Sequence, residues 1–227
     1  MEPATLRTIE MEGRSVYEVR GVTGLRPLRR DAELNLGRIL VAARDVFAEH
    51  GYDASMEQVA ARAEVGIGTL YRRFPNKADL FAAVVDAATD RNRQIAKDVL
   101  SEVAPGEAVF EFVRRCVDTP SCWRAATSRR PWSGGKADQA LGSLMPLIGR
   151  ILEASQRAGT VRPDIAPTDL VIVLMSVRGL GDLCDADAPC ASRRFLELAL
   201  DGLRHRHQKL AHPPMSMKQL GRVLTDG

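Results

Sequence analysis

The chain has 227 residues, of which 45% are hydrophobic and 27% are charged, a composition that excludes a disordered or a fibrous protein. Its formal net charge of +3 at pH 7 permits nucleic-acid binding without arguing for it, so the placement of the charges along the chain has to decide. The longest apolar stretch is far shorter than the ~20 residues of a membrane-spanning helix, and the N-terminus has no secretory signal pattern. We therefore expect a soluble, cytoplasmic protein without membrane association.

Residues 1–30 show no sustained hydrophobic period. They contain several glycines and end in a basic run that comprises Arg26, Arg29 and Arg30. This pattern predicts a flexible basic N-terminal arm.

The stretch 31–90 has the pattern of short amphipathic helices. In the first helix, apolar residues recur at the spacing of one helical face until Gly51 ends it. The second helix begins at Ser55, because the sequence Ser-Met-Glu-Gln provides a capping box between Ser55 and Gln58. A break at residues 64–66 precedes a short third helix, which ends at Pro75 because proline cannot continue the hydrogen-bond ladder.

A fourth helix begins after Asn76, whose side chain can cap it, and its apolar positions continue toward Val103. At ~1.5 Å per residue this helix is ~40 Å long, so we expect it to join two units of the protein. The sequence from Val103 to residue 206 has helical periodicity without strand-like alternation. Residues 207–227 have the composition of a loose polar tail. The sequence therefore predicts an all-α protein.

The second and third helices, with the tight connection between them, have the proportions of a helix-turn-helix unit, in which one helix enters the major groove of DNA. The third helix carries no acidic residue, and Lys77 follows it at the start of the next helix. Hydroxyl, phenol and guanidinium groups suit phosphates and base edges, and a glycine lets the backbone approach the groove. The positions of this helix outside the core are Ile67, Gly68, Thr69, Tyr71, Arg72 and Arg73.

Residues 35–85 run from Asn-Leu-Gly-Arg-Ile-Leu through Phe-Ala-Glu-His-Gly-Tyr to Gly-Thr-Leu-Tyr-Arg-Arg-Phe-Pro-Asn-Lys-Ala-Asp-Leu, and they resemble the N-terminal domain of TetR-family transcriptional repressors. The text Arg-Ala-Gly-Thr-Val-Arg-Pro-Asp at 157–164, followed by two helices, is similar to the effector-binding and dimerising half of that family. The resemblance implies phosphate contacts for Ser55, Tyr71, Arg72, Arg73 and Lys77. It also implies that the residues facing base edges are Ile67, Gly68, Thr69 and Tyr71.

The chain departs from the family pattern at three positions around the turn. Glu64 stands where glycine is frequent, and a left-handed conformation there costs on the order of 1 kcal/mol. Gly66 replaces the frequent serine at the cap of the third helix, and Ile67 offers an apolar contact, for example to a thymine methyl, in place of a hydrogen bond. Operator sequences of relatives therefore do not transfer to this chain.

Other interpretations of these residues remain open. A pair such as Arg72 and Arg73 is usually a solvated helix face, and Tyr71 can instead pack within its own bundle. The glycine-rich residues 133–136 lack the other elements of a phosphate-binding loop, and the His and Cys spacings match no compact zinc site. The four cysteines lie in apolar helical text, which favours buried reduced thiols, with a redox sensor as the alternative. We expect no metal, no cofactor and no enzymatic activity.

Apolar side chains of the C-terminal half are candidates for an effector pocket and for a dimer interface. Most of them are expected in the core, but a helical domain that encloses a ligand builds its pocket from the same kind of residue. The pocket candidates are Phe110, Trp123, Met145 and Met175.

The helices near 168–180 and 191–204 end this half, and amphipathic helices in that position commonly bury their apolar stripes in a two-fold bundle. The dimer candidates are Leu174, Phe195, Leu198 and Leu203.

Together these patterns predict a helix-turn-helix DNA-binding domain at 31–90, joined by a long helix to a ligand-binding and dimerisation domain at 91–206. The predicted function is that of a TetR-like transcriptional regulator, a homodimeric repressor that binds a palindromic operator in double-stranded DNA and is released by a small-molecule effector. The alternative is a helical small-molecule-binding or scaffold protein with incidental DNA affinity.

Overall fold

The computed structural model describes residues 5–11, 14–20, 27–119, 136–184, 191–204 and 208–226, and most of these residues are helical. The helices are α1 (Pro27–His50), α2 (Met56–Arg62), α3 (Ile67–Arg73), α4 (Lys77–Glu102), α5 (Ala108–Val117), α6 (Lys136–Arg157), α7 (Pro167–Cys184), α8 (Ala191–Leu203) and α9 (Met217–Asp226). Short 3₁₀ turns lie at Gly51–Asp53 and Pro105–Glu107. The prediction of a helical protein with an N-terminal helix-turn-helix unit is confirmed. Among the described residues, no helix has the length and apolar character needed to cross a bilayer.

A two-stranded antiparallel sheet precedes the helices. Its strands are β1 (Thr5–Met11) and β2 (Arg14–Arg20), and the register pairs Thr5 with Arg20 and Met11 with Arg14. β2 lies beside α1 and β1 beside α4. This hairpin differs from the irregular arm that the glycines of this stretch suggest. The available signal was the concentration of β-branched residues and tyrosine, which favour strands.

The start of α1 also differs from expectation. The helix begins at Pro27 and not near Asp31, and proline is well tolerated in the first turn, where its missing N–H would have no partner in any case. Arg29 and Arg30 are therefore helical residues and not part of an extended arm.

The first hydrophobic core belongs to the helix-turn-helix unit and is built by α1 to α4. One face of α1 is buried because it meets α2 and the N-terminal half of α4. Phe47 is fully buried there, and the ring of Phe81 meets it edge-on at a centroid distance of 5.3 Å. Burying one such aromatic side chain stabilises the fold by about 1.5–3 kcal/mol. Leu70 of α3 is fully buried in the same core, which fixes the orientation of α3.

Helix α4 takes part in both cores of the molecule. Its 26 residues correspond to about 39 Å at 1.5 Å per residue. The first half buries Phe81 and Val84 in the N-terminal core, whereas the second half buries Ala96 and Val99 in the C-terminal core. The expectation that this helix joins two units is thus met by its burial pattern.

The second core lies in the C-terminal half, where the apolar faces of α5 to α8 meet. A buried hydroxyl group organises its edge: the Oγ of Ser155 accepts from the N–H of Val109 at 3.2 Å and donates to the carbonyl of Pro105 at 2.7 Å. Since Pro105 and Val109 lie where α4 passes into α5, Ser155 ties that connection to α6. Buried polar groups are stabilising only when paired in this way.

Residues 208–226, which we call the C-terminal strap, lie against the second core. The guanidinium of Arg162 donates to both carboxylate oxygens of Asp164 at 2.6 and 2.9 Å. Arg162 also donates to the carbonyl of Gln208, and Asp164 accepts from the N–H of Leu210, each at 2.7 Å. The Arg162 hydrogen bond, with the Leu210 N–H, holds the pKa of Asp164 well below its ordinary range. This stabilisation is therefore present above the ordinary aspartate pKa of ~3.9 and is lost only in stronger acid.

The helix of the strap, α9, is anchored by Leu220, which is fully buried in the second core. The Oγ of Ser216 accepts from the amide of Gln219 at 3.3 Å, and the Gln219 Oε1 accepts from the N–H of Ser216 at 2.8 Å. The expectation of a loose tail is therefore wrong for residues 208–226. The missed signal was Ser-Met-Lys-Gln before an apolar residue, the same capping pattern as at Ser55.

Candidate nucleic-acid interface

The helix-turn-helix begins at Ser55, which caps α2. The amide of Gln58 donates to the Ser55 Oγ at 3.2 Å, and the N–H of Ser55 donates to the Gln58 Oε1 at 2.7 Å, so the predicted capping box is confirmed. The buried face of α2 consists of Met56, Val59 and Ala60. Within the capping box the Ser55 Oγ acts only as an acceptor.

The turn between α2 and α3 contains a strained residue. Glu64 has a φ of 55°, and it stands at the turn position where the resembled family often has glycine. The Arg38 guanidinium of α1 donates to the Glu64 carboxylate at 2.6 Å. An exposed ion pair of this kind contributes about 0–1 kcal/mol, which is comparable with the strain of about 1 kcal/mol at a left-handed non-glycine residue. The ion pair therefore offsets part of the strain.

A second ion pair fixes α2 to α1. Arg62 donates to the two carboxylate oxygens of Glu49 at 3.0 and 2.7 Å. The hydrogen bond from Arg62 holds the pKa of Glu49 below its ordinary value. Helix α1 thus holds both the last residue of α2 and the turn that follows it, and neither ion pair is visible in the local sequence pattern.

The third helix turns a polar face outward and two anchors inward. Leu70 is fully buried and Phe74 is nearly so, whereas Ile67 and Tyr71 are 39% and 43% exposed. The predicted division between core and surface positions is therefore present. Gly66 caps the helix without a side chain, and the amides of Thr69 and Leu70 both donate to its carbonyl, at 2.8 and 3.2 Å.

The cationic end of α3 is exposed. Arg72 and Arg73 lie in its last turn, and within the part of the chain that the structure describes no carboxylate forms an ion pair with either of them. Gly68 opens the other end of the face, because a Cβ built there meets no atom within 4 Å. Thr69 is half-buried between them. The outer face of α3 therefore has the positive charges of Arg72 and Arg73 at one end and an open backbone at Gly68 at the other.

Lys77, the first residue of α4, has partners that the sequence does not predict. Its Nζ donates to the carbonyl of Ala54 at 3.2 Å and lies 4.8 Å from the centroid of the Tyr52 ring. The side chain is therefore half-buried and oriented toward the loop between α1 and α2. A lysine ammonium has three donors, so donors remain for a ligand.

The pocket candidates occupy different environments. Phe110 is fully buried in the second core, and the guanidinium of Arg204 lies 4.6 Å from its ring centroid. Met145 and Met175 are half-buried and pack against the same core. Trp123 lies outside the described residues. Of the three candidates that the structure describes, Phe110 is a core residue, and the two methionines combine apolar packing with partial exposure.

The dimer candidates divide into two kinds. Leu174 and Leu203 are 7% and 4% exposed and pack in the second core of the chain itself. Phe195 and Leu198 of α8 are 36% and 61% exposed. Within one chain the first pair is already covered, so only the second pair has apolar surface left for a partner.

Cys116 is the cysteine whose side chain the structure describes. It is fully buried, and burial raises its pKa to about 12. A thiol that stays protonated at neutral pH is a poor nucleophile, which argues against the redox-sensor alternative at this position. Within the described ranges, no three His, Cys, Asp or Glu side chains come together as a group that could hold a metal ion.

A helix-turn-helix with an exposed cationic third helix, joined through one long helix to a second helical core, defines a class of DNA-binding transcriptional regulators. Two family models match the chain: bacterial regulatory proteins of the tetR family at residues 39–84, and the C-terminal domain of SbtR-like transcriptional regulators at residues 104–205. The chain belongs to the TetR family of transcriptional regulators.

Similar proteins extend this assignment over most of the chain. A TetR transcription regulatory protein from Mycobacterium vanbaalenii is 33% identical, with a TM-score of 0.58 over 78% of this chain and 99% of that chain. A TetR regulator from Streptomyces coelicolor is 30% identical, with a TM-score of 0.57 over 75% and 98%. The A-factor receptor protein of Streptomyces griseus is 27% identical over 190 residues, 82% of this chain and 67% of that protein. Matches to three further curated regulators span 29–41% of their lengths.

Proposed function

We propose that the protein is a homodimeric repressor that binds a palindromic operator through α3 and leaves it when a small-molecule effector occupies the C-terminal half. The observation that carries this proposal is the outer face of α3. It presents Tyr71, Arg72 and Arg73 to solvent while Leu70 and Phe74 hold the helix in the core. A solvated arginine pair alone would be unremarkable, but here it lies on the recognition helix of a helix-turn-helix unit.

The residues of this face have two kinds of role in the proposal. Cations and hydroxyl groups fix the protein on the DNA backbone without reading sequence. These phosphate contacts are Ser55, Tyr71, Arg72, Arg73 and Lys77. Groups near the N-terminal end of α3 read base edges in the major groove, where an apolar side chain favours a thymine methyl. These base-reading positions are Ile67, Gly68, Thr69 and Tyr71.

Dimerisation supplies the two recognition helices that a palindrome requires. The centres of successive half-sites are ~34–36 Å apart, so two protomers have to present α3 at that spacing. We assign the contact to the exposed face of α8 with Phe195 and Leu198, because this apolar surface is uncovered in one chain. Leu174 and Leu203 support that face from beneath, since both are buried in the core on which α8 rests.

The effector site is proposed in the second core, near the half-buried Met145 and Met175. Phe110 lies deeper in that core, and the sequence adds Trp123 as a further candidate. A ligand shifts a conformational equilibrium only through different affinities for its two states. Because α4 is packed into both cores, a ligand that favours another position of α4 would change the spacing of the two α3 helices. The A-factor receptor is named as a receptor, which supports an effector-binding role for this half.

Selection of DNA from a randomised duplex library tests the proposal. A repressor of this kind should enrich a palindrome whose half-sites are centred about one helical turn apart. A small-molecule carrier or scaffold protein with incidental DNA affinity would enrich no sequence. Mass spectrometry of the molecule that copurifies with the protein, followed by addition of that molecule to the DNA complex, then tests release. Retention of the complex at saturating ligand would contradict the effector mechanism.

A further inference from the structure

We propose that Tyr52 is a positioning residue for DNA binding: its ring holds the ammonium group of Lys77 at the DNA-facing surface and so joins the start of α4 to the start of α2. The inference rests on the proposed function, because it assigns Lys77 a phosphate contact. It concerns a residue outside the recognition helix and outside the predicted set of DNA contacts.

The ring of Tyr52 is itself fixed by the core. Tyr52 lies in the 3₁₀ turn after α1, where Gly51 takes a φ of 67° and turns the chain. Its ring stacks on Phe47 at a centroid distance of 6.5 Å and meets Phe81 edge-on at 5.4 Å. Aromatic rings at these separations attract one another and restrict their orientations. One ring therefore contacts side chains of both α1 and α4 and has little freedom to turn.

The ammonium group of Lys77 is held from two sides. It lies 4.8 Å from the Tyr52 ring centroid, within the range of a cation–π interaction, and it donates to the Ala54 carbonyl at 3.2 Å. Ala54 is buried and directly precedes Ser55, the cap of α2. Lys77 is the first residue of α4. A single side chain thus connects the first residue of one helix to the residue before the cap of another.

The contacts with the Tyr52 ring and the Ala54 carbonyl compensate for the unfavourable position of Lys77 at the N-terminus of α4. A lysine in the first turn of a helix is at the positive end of the helix dipole, where cations are disfavoured. The ring face and the carbonyl both present negative potential to the ammonium group and offset that effect. They also restrict a long, flexible side chain that otherwise loses rotamer entropy when a ligand immobilises it. The remaining ammonium donors are thereby ordered before DNA arrives.

The test is a double-mutant cycle on binding to a random-sequence duplex, because a phosphate contact does not depend on base sequence. The four proteins are the parent, Tyr52→Leu, Lys77→Met and the double variant, and Tyr52→Phe is the conservative variant that keeps the ring. We expect Tyr52→Leu to weaken binding about three- to tenfold, which is ~0.6–1.4 kcal/mol of binding free energy, because the Lys77 ammonium group then loses its preordered position. In the Lys77→Met background the same change should have little further effect, and Tyr52→Phe should retain most of the affinity.

A salt series separates positioning from general packing. Lys77→Met should flatten the slope of log affinity against log salt by about two per dimer, and Tyr52→Leu should flatten it in the same direction. If Tyr52→Leu weakens binding equally in both backgrounds and leaves the slope unchanged, the ring acts only through the core and the inference is overturned. Should Tyr52→Leu fail to fold, pentafluorophenylalanine at position 52 keeps the ring shape while reversing its electrostatic face, and loss of affinity is again expected.

Arg72→Ala distinguishes a failure of the Tyr52 proposal from a failure of the proposed DNA-binding function. If Arg72→Ala weakens binding but Lys77→Met and Tyr52→Leu do not, the proposed function stands and the role of Tyr52 is wrong. If none of the three variants weakens binding at low salt, the DNA-binding surface itself has been assigned to the wrong face.

Discussion

The helix-turn-helix unit and the C-terminal half place their predicted functional residues in opposite environments. In the helix-turn-helix unit, the predicted contacts Tyr71, Arg72 and Arg73 are exposed. Leu70 and Phe74 of the same segment are buried and anchor it in the core. In the second, Phe110 and Leu203 are covered by the chain itself. A short motif fixes which side of a short helix faces outward, whereas a large helical core buries many apolar residues that resemble one another in sequence. Function is therefore easier to locate in the first region than in the second.

The largest expected effect tests whether Phe110 belongs to the core or to a pocket. Because its ring is fully buried beside Arg204, Phe110→Ala should lower the free energy of unfolding by about 3–5 kcal/mol, measured by urea titration. Met145→Ala, at a half-buried site, should lower it less. A Phe110→Ala variant as stable as the parent would show that the ring faces a cavity, and would remove the contrast between the two regions.

The next largest effect concerns the exposed face of α8. Leu198→Asp should split the dimer, because each interface then buries two uncompensated carboxylates, at a cost of about 2–4 kcal/mol or more. Sedimentation velocity should show monomers at concentrations where the parent is dimeric. Leu210→Asp is the matched control, since Leu210 is also an exposed leucine but lies on the strap. If both variants sediment as dimers, the interface lies elsewhere on the chain.

A paired comparison on α3 separates base reading from phosphate contact. Thr69→Ala should weaken binding to the selected operator by about 1–3 kcal/mol and leave random DNA almost unaffected. Arg72→Ala should weaken binding to both DNAs alike and flatten the salt slope by about two per dimer. Affinities of both variants for both duplexes over a salt series provide the measurement. Equal losses on both DNAs for Thr69→Ala would mean that α3 only rests on the backbone.

The smallest expected effect is at the turn between α2 and α3. Glu64→Ala keeps the left-handed strain and loses the ion pair with Arg38, whereas Glu64→Gly loses the pair and relieves the strain. The glycine variant should therefore be about 1 kcal/mol more stable than the alanine variant in thermal unfolding. Equal stabilities would indicate that the turn relaxes to another conformation once the carboxylate is gone.

Helix caps could be predicted from the sequence where two residues close together in the chain form them. The capping box at Ser55 and the cap at Asn76 follow from residue type and spacing, and the structure contains both of them. The strap was missed because its composition is polar, although Ser216 and Gln219 repeat the capping pattern of α2. The capping pattern alone does not predict a docked helix, because docking also requires that Leu220 be buried in a core formed by residues far away in the sequence.

Long-range contacts account for the rest of what the sequence did not reveal. The partners Arg38 and Glu64 are 26 residues apart, and Lys77 lies 23 residues from Ala54. No local period relates such pairs, because they meet only after α1, α2 and α4 have packed. The same holds for Leu174 and Leu203, whose amphipathic spacing is equally compatible with an internal core and with a dimer interface.

The docking of the strap has a consequence for the order in which the protein is made. Domains generally fold as units during synthesis, with N-terminal parts first. The helix-turn-helix core closes with residues that precede α5, so it can form while the ribosome is still translating the rest. The second core, in contrast, has an open site until Leu220 has been added and has left the exit tunnel. Nascent chains should therefore acquire a folded helix-turn-helix unit well before the core of their C-terminal half is complete, and pausing of translation before residue 208 should prolong that interval.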